Sequence, residues 1–246
     1  MFLFLFKDLI ECGNYLALKE KEKLIRQFIG TQVLPKNDLQ LKLLTIEEDR
    51  IGAALIPKKY LPSCKTKVLR CRANGNCLYN SASILLVGDE SLLDLLRVCV
   101  SIELYLEQRY YAEHPYIISK LSSIKKQPNY VFSISLSNGA TSDLQNSDDS
   151  KRLCIKRQAL LNLRTDKGRD WGSLMCLAAL SNVIESKIKS IYPTSGNDYE
   201  ILMNGVIKPR VCNRGMLHIL WSRTMSLDVQ KGSFQPNHFC PIFHFM

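Results

Sequence analysis

The sequence is poor in the arrangements that build metal sites and disulfide frameworks. Its nine cysteines form no Cys-x-x-Cys pair, and it contains only four histidines. The nearest cysteines, Cys64, Cys71 and Cys77, are too widely spaced and too poor in neighbouring histidine for a common zinc site. An odd number of cysteines also leaves at least one thiol without an internal partner. We therefore expect the thiols to be reduced.

Long apolar runs are missing as well. No stretch approaches the roughly 18 apolar residues of a membrane helix. The chain starts with the apolar residues MFLFLF, but no positive region precedes them and Lys7, Asp8 and Glu11 follow closely. That pattern argues against a secretory signal peptide. With reduced thiols, it predicts a protein of the cytoplasm or nucleus, with no membrane partner.

Positive charge is in excess, with a formal net charge of +10 and a pI near 9.2. Such a balance favours contact with nucleic acid or another polyanion. However, the densest basic segments, residues 58–72 and 151–158, lack the interleaved aromatic residues of a single-strand binding groove. A solvated basic face is therefore the preferred interpretation, and a nucleic-acid site stays open as the alternative.

The composition, 46% hydrophobic and 23% charged, is that of a globular protein with one large or two small domains. Residues 1–60 read as an N-terminal helical arm or extension, and residues 61–246 as the main domain. Within that domain, residues 127–152 are rich in Ser, Asn and Asp without periodicity, which predicts a flexible loop or insertion. Helical patterns come mainly first and strand patterns late, so the sequence predicts an α+β fold.

Cys77 follows a predicted turn and precedes a predicted helix. Asn74-Gly75 is a turn dipeptide, because Gly accepts positive φ and Asn tolerates it. A cysteine at a helix N-terminus lies near unpaired N–H groups and the positive end of the helix dipole, which stabilise a thiolate. The preceding turn could direct backbone N–H groups at a developing oxyanion. A small buried hydrophobic thiol is the ordinary alternative.

A nucleophilic cysteine needs a base, and four histidines are available. His114 ends a predicted helix, where capping is the usual role, and His218 and His244 lie inside apolar strand-like runs. His238 differs because it follows a Pro-Asn turn at the start of a predicted strand, where a rigid scaffold presents functional side chains. It is the candidate base.

Three blocks of the sequence resemble, in order, the ovarian tumour (OTU) family of cysteine deubiquitinases. ANGNCLYNSAS (73–83) is similar to the Asp-Gly-Asn-Cys-Leu block of that family, and DWGSLMCLAALSNVIESKIKSIYP (170–193) to its Trp-Gly, helix and strand segment. The last block, ILWS followed by FQPNHFCPIF (219–243), resembles the closing histidine strand. Residues 78–115 are most similar to the divergent OTU-like domains of vertnin-like and transposon-associated proteins.

The resemblance implies a papain-like fold, with a small central β-sheet flanked by helices. It implies Cys77 as the nucleophile and His238 as the general base, attacking the carbonyl at the C-terminus of ubiquitin or a ubiquitin-like modifier. Backbone N–H groups of Gly75, Asn76 and Cys77 would bind the oxyanion. Trp171-Gly172 would be a structural contact of the core. Neither a metal nor another cofactor is implied.

Two positions depart from the family pattern. Asn74 stands where the motif has aspartate, and Cys240 stands two residues after the histidine, where an acidic or amide residue is common. An amide can orient the base but lends it no charge, so Asn74 is a possible orienter and Cys240 a poor one. The ordinary role of Asn74 is to hold the turn by a local hydrogen bond.

The sequence thus favours a thiol-dependent deubiquitinase that hydrolyses isopeptide or peptide bonds. The alternative is a weak or inactive OTU-like binding or scaffold module, which would contact DNA or chromatin through its basic surface.

Overall fold

A computed structural model describes residues 14–58, 65–142, 144–145, 147–163, 172–224 and 234–245. Within these ranges the chain forms eleven α-helices and five β-strands. The helices are α1 Tyr15–Gln32, α2 Lys36–Thr45, α3 Arg50–Leu55, α4 Cys77–Val87, α5 Leu93–Leu106, α6 Gln108–Ala112, α7 Pro115–Ile124, α8 Pro128–Ile134, α9 Asp148–Asn162, α10 Leu174–Val183 and α11 Asp198–Met203. The strands are β1 Lys65–Val68, β2 Lys187–Ile191, β3 Gly205–Ile207, β4 Met216–Ser222 and β5 His238–Phe245.

The five strands form one mixed sheet in the order β1-β5-β4-β2-β3. Strand β5 is antiparallel to both β1 and β4, and β2 runs parallel to β4. The register between β4 and β5 pairs Ser222 with His238. Both edges of β5 are therefore hydrogen-bonded, and His238 is held at its N-terminal end in a fixed position.

Helices α4 and α10 form the centre of the protein. All eleven residues of α4 and all ten residues of α10 are buried. Because both helices are predominantly apolar all round, they suit an interior position and not a surface one. Gly88, with a φ of 81°, ends α4 in the left-handed conformation that a glycine accepts without a steric penalty.

Gly172 marks a close approach between the segment before α10 and helix α4. A Cβ atom added to Gly172 would lie 2.6 Å from the Cδ2 atom of Leu78. A larger residue would push α4 away, and Leu78 is the immediate neighbour of Cys77. The other half of the predicted core contact, Trp171, lies outside the described residues.

The predicted N-terminal helix is present as α1, which packs against α5. Leu18 and Ile29 are buried in the main hydrophobic cluster. Arg26 reaches from α1 to the buried Glu103 of α5 at 2.7 Å and to the carbonyl oxygen of Asn182 at 2.6 Å. Helix α1 is thus joined to the core by apolar burial and by a partly buried ion pair.

The segment 127–152, which the sequence predicts as a flexible loop or insertion, contains regular secondary structure. It contains α8, a short 3₁₀ turn at Asn138–Ala140 and the start of α9. Pro128 occupies the first helical position of α8, and Ser147 caps α9 through the N–H of Ser150. Val131 and Phe132 are buried, so this polar segment still supplies apolar residues to the core.

The α+β prediction is confirmed, with a small sheet flanked by helices. Among the described helices, none is long and apolar enough to cross a membrane.

Candidate active site

The turn before Cys77 is closed by the side chain of Asn74. Its Oδ1 atom accepts hydrogen bonds from the N–H of Asn76 at 3.1 Å and from Nδ2 of Asn80 at 3.3 Å. Gly75 has a φ of 77°, a conformation that glycine adopts readily and other residues rarely. The Asn-Gly pair therefore forms the turn that the sequence predicts, and the chain enters α4 directly after it.

Arg97, on α5, holds the same turn from the protein interior. It is 1% exposed and donates hydrogen bonds to Oδ1 of Asn76, to the carbonyl oxygen of Gly75 and to that of Asn162. A buried guanidinium bonded to this loop fixes its backbone and places positive charge near Cys77.

Cys77 is the first residue of α4 and is 1% exposed. Burial raises the pKa of its thiol to about 11, and hydrogen bonds with the backbone of Phe239, Leu78 and Cys77 itself, together with the charge of Arg97, oppose this rise. Sγ of Cys71 lies 3.8 Å from the carbonyl oxygen of Cys77 and 3.0 Å from that of Phe239, the residue directly after His238, so the start of α4 lies beside the start of β5. In the unliganded protein the Cys77 thiol is therefore protonated at neutral pH.

His238 begins β5 and is 3% exposed. Its Nε2 atom lies 3.7 Å from Sγ of Cys71, and its Nδ1 atom has no hydrogen-bond partner among the described residues. Burial lowers the pKa of His238, while the carboxylate of Asp49 raises it. No hydrogen bond joins His238 to Cys77 within the described part of the chain, although both lie at one end of the sheet.

Cys71 is a residue of the site that the sequence did not single out. Its thiol donates a hydrogen bond to the carbonyl oxygen of Phe239 at 3.0 Å and lies 3.5 Å from Oγ of Ser81. Burial raises the pKa of Cys71 well above its ordinary value. The only sequence signal is its position at the end of the extended run that leads into the Asn-Gly turn.

Asp49 is the second residue that sequence reasoning missed. It caps α3, where its Oδ1 atom accepts the N–H of Gly52 at 2.6 Å. Ligand atoms of Asp49, His238 and Cys240 all lie within 4.8 Å of one another, a spacing that could hold a metal ion. The sequence signal was an acidic residue directly before a short helical pattern, which is common and points only to a cap.

The predicted roles of Asn74 and of the turn amides can be compared with these contacts. The hydrogen bonds of Asn74 are those of the turn, and it is Asp49 whose charge acts on His238. The N–H of Asn76, one of three expected oxyanion donors, already donates to Asn74. Orientation of the base by Asn74 stays a prediction, as does oxyanion binding by Gly75 and Cys77.

A cleft of about 1030 Å³ opens beside the base. Asp49, Cys71 and His238 line it, together with charged side chains of both signs. A polar segment of a partner could enter from solvent here and reach His238. His238, although buried, is thus part of the wall of an open cleft.

The other histidines occupy structural positions. His114 is buried at the start of α7, and burial lowers its pKa to about 4. His218 and His244 lie on adjacent strands with ring centroids 4.3 Å apart. The structure therefore places only His238 near Cys77 among the four.

Comparisons with known proteins give one family. The family model described as "Vertnin, OTU domain" matches residues 68–222, more than half of the chain. Vertnin of Danio rerio is 28% identical over 185 residues, which cover 72% of this chain and 25% of that protein. Vertnin of Homo sapiens is 27% identical over 250 residues, which cover 96% of this chain and 32% of that protein. The chain thus spans about a quarter to a third of these relatives.

Among solved structures, "Structure of OTUD1 OTU domain" matches with 14% identity and a TM-score of 0.34. The match covers 85% of this chain and 99% of that one.

Proposed function

Since this chain belongs to the Vertnin OTU-domain family, we propose that it is a thiol hydrolase that releases ubiquitin or a ubiquitin-like modifier from its conjugates. The observation that carries the proposal is the contact of one side chain with both candidates: Sγ of Cys71 lies 3.8 Å from the carbonyl oxygen of Cys77 and 3.7 Å from Nε2 of His238. It brings a thiol at a helix N-terminus to the end of the strand that carries a buried imidazole. That pairing suits acyl transfer.

The proposed reaction has two steps. His238 accepts the proton of Cys77 as the sulfur attacks the carbonyl carbon of the modifier's C-terminal residue, and the resulting imidazolium protonates the departing amine. Water then attacks the thioester, with His238 as base, and the carboxylate and the free thiol are released. Catalytic hydrogen bonds are often long in an unliganded site and tighten with substrate, and His238 must turn from Cys71 towards Cys77.

We assign the orientation of His238 to Asp49. Its carboxylate is the charged group that raises the pKa of His238, and the Nδ1 atom of that ring has no partner among the described residues. A carboxylate near Nδ1 would favour the tautomer that leaves Nε2 free to accept a proton. Asn74 would hold the turn that carries Cys77.

The charged side chains that line the cleft are balanced, with four acidic residues and four arginines. Glu47, Glu48 and Glu90 line it beside Asp49. Arg70 and Arg72, also at the cleft, form ion pairs with Glu47 and Glu90 at 2.8 and 3.1 Å. The net charge of +10 is therefore not concentrated at this cleft, where the basic C-terminal tail of ubiquitin would lie. These ion pairs give no support to a DNA-binding scaffold. The hydrolase proposal includes action in the cytoplasm or the nucleus.

A ubiquitin probe with a C-terminal electrophile tests the proposal. We expect a covalent adduct with the wild-type chain, none with Cys77→Ala and a strongly reduced one with His238→Ala. Cys212→Ser is the matched control, because Cys212 is an exposed thiol outside the site. A folded wild-type protein that forms no adduct, or an adduct that survives Cys77→Ala, would falsify the assignment.

A further inference from the structure

A second chemistry is available to the cluster formed by Asp49, His238 and Cys240. A carboxylate oxygen, a ring nitrogen and a thiol sulfur of these residues lie within 4.8 Å of one another. We propose that they bind a divalent zinc ion, and that zinc reversibly switches off the hydrolase. The metal site stands on its own geometry, while the inhibition rests on the proposed function.

The ligand set suits zinc. Cysteine sulfur, histidine nitrogen and carboxylate oxygen bind zinc at about 2.0 to 2.3 Å, which places two ligands of a tetrahedral ion about 3.3 to 3.8 Å apart. The observed limit of 4.8 Å requires each side chain to move by about 1 Å or less. Three protein ligands leave a fourth position, and the cleft lined by Asp49 and His238 gives water and the ion access to it.

An unsatisfied buried atom points independently to a ligand. His238 is 3% exposed, yet its Nδ1 atom has no hydrogen-bond partner among the described residues. A buried nitrogen left without a partner destabilises the fold, and a bound ion would satisfy it. Its Nε2 atom faces Cys71, so Nδ1 is the nitrogen that we assign to the metal.

Neighbouring groups already hold the other two ligands. His238 and Cys240 are two residues apart on β5, and alternation along a strand places both side chains on one face. The N–H of Gly52 fixes Oδ1 of Asp49 at 2.6 Å. A Cβ atom at Gly52 would lie 3.3 Å from Sγ of Cys240 and 3.2 Å from Oδ1 of Asp49, so the glycine lets these two ligands approach each other.

Zinc binding and base catalysis exclude each other at His238. Binding replaces the proton of the Cys240 thiol with the ion and releases that proton to solvent. The ion occupies the lone pair of Nδ1, and the neutral ring then carries its proton on Nε2. Nε2 has no lone pair left to accept the proton of Cys77, so hydrolysis stops until the metal leaves.

Titration of the full chain with cobalt chloride and zinc chloride tests the site. Cobalt bound through a thiolate gives a charge-transfer absorption band, and we expect one ion per chain, displaced by zinc. Cys240→Ala should weaken binding by at least about ten-fold. Asp49→Asn provides a second variant should Cys240→Ala not fold, and Cys212→Ser is the control that removes an exposed thiol elsewhere.

Turnover of a ubiquitin substrate is measured on the same samples. We expect zinc to lower the turnover of the wild type and of Cys212→Ser, and chelation of the zinc to restore it. In Cys240→Ala, the same inhibition should require at least about ten-fold more zinc. No band with folded wild type, or wild-type affinity in both Cys240→Ala and Asp49→Asn, overturns the metal site. An active protein that binds cobalt but ignores zinc overturns the inhibition. A chain that binds cobalt without any turnover contradicts the hydrolase proposal and leaves the metal site standing.

Discussion

The Nε2 atom of His238 lies 3.7 Å from Sγ of Cys71. The candidate base therefore faces a thiol that is not at the helix N-terminus. The Cys71 thiol donates a hydrogen bond to the carbonyl oxygen of Phe239, and burial raises the pKa of this thiol far above neutral. In the proposed mechanism, His238 must therefore turn from this thiol towards Cys77 when substrate binds.

The two thiols give the first prediction. Cys71→Ser keeps a hydrogen-bond donor beside Phe239 and Ser81, so the variant should still form the covalent adduct with a ubiquitin probe. Cys77→Ser should lose at least about 100-fold in turnover, because the hydroxyl is a far weaker nucleophile at neutral pH. Turnover assays with both variants check this. The reverse result, with loss only in Cys71→Ser, would transfer the nucleophile to Cys71.

The second prediction concerns the residue that orients the base. Asp49→Asn preserves the cap of α3 but removes the charge that raises the pKa of His238. Turnover should fall by at least about ten-fold, and the acidic limb of its pH profile should move to lower pH. The control is Asp38→Asn, an exposed aspartate in the first turn of α2. An unmoved acidic limb would remove Asp49 from this role.

The third prediction uses Asn74→Ala to distinguish a structural role of Asn74 in the turn from a role in orienting His238. It removes the acceptor for Asn76 N–H and Asn80 Nδ2, so the free energy of unfolding should fall by about 1 to 2 kcal/mol. Turnover should fall with it, but the acidic limb of the pH profile should stay where it is. Urea unfolding and pH profiles measure both effects. A shifted limb would show that Asn74 acts on His238.

Arg97 gives a fourth prediction, on stability. Arg97→Met removes the buried hydrogen bonds to Gly75, Asn76 and Asn162, so the free energy of unfolding in urea should fall by about 2 to 4 kcal/mol. Probe labelling should slow because the turn loses its anchor. Arg70→Met, which breaks only an exposed pair with Glu47, should change stability by about 0.5 kcal/mol or less. Equal effects in the two variants would contradict the anchoring role.

The pH dependence of Cys77 alkylation is the fifth prediction. Because burial raises the pKa of Cys77 to about 11, its alkylation by iodoacetamide should rise about ten-fold per pH unit from pH 7 to 10. In protein unfolded by urea, the alkylation rate of Cys77 should level off above about pH 9. The folded state retains the proton of the Cys77 thiol to a higher pH than the unfolded chain does. The raised pKa therefore contributes to the free energy of unfolding at neutral pH, and this contribution is lost as pH rises towards 11. Peptide mapping by mass spectrometry follows the reaction, and a plateau below pH 9 in folded protein would indicate a preformed thiolate.

Local sequence determined those parts of the site that lie close together in the chain. Asn74-Gly75 forms the predicted turn, and Cys77 begins the predicted helix, because turn chemistry and helix capping depend on neighbouring residues. The α+β class followed from the order of periodic patterns. The sequence did not reveal that residues 127–152 form helices, since Pro128 and Ser147 act there without an apolar stripe long enough to recognise.

Tertiary structure alone decided which residues meet. Asp49 is far from His238 and Cys240 in the sequence, and only the packing of α3 against the sheet brings it to them. Tertiary packing likewise brings Cys71 to His238 and Arg97 to the turn before Cys77. Hydrogen bonds and charge interactions of this kind depend on distances across the fold, and no local pattern encodes them. The sequence by itself therefore determined the candidates for nucleophile and base, and the fold decided which side chains contact and surround them.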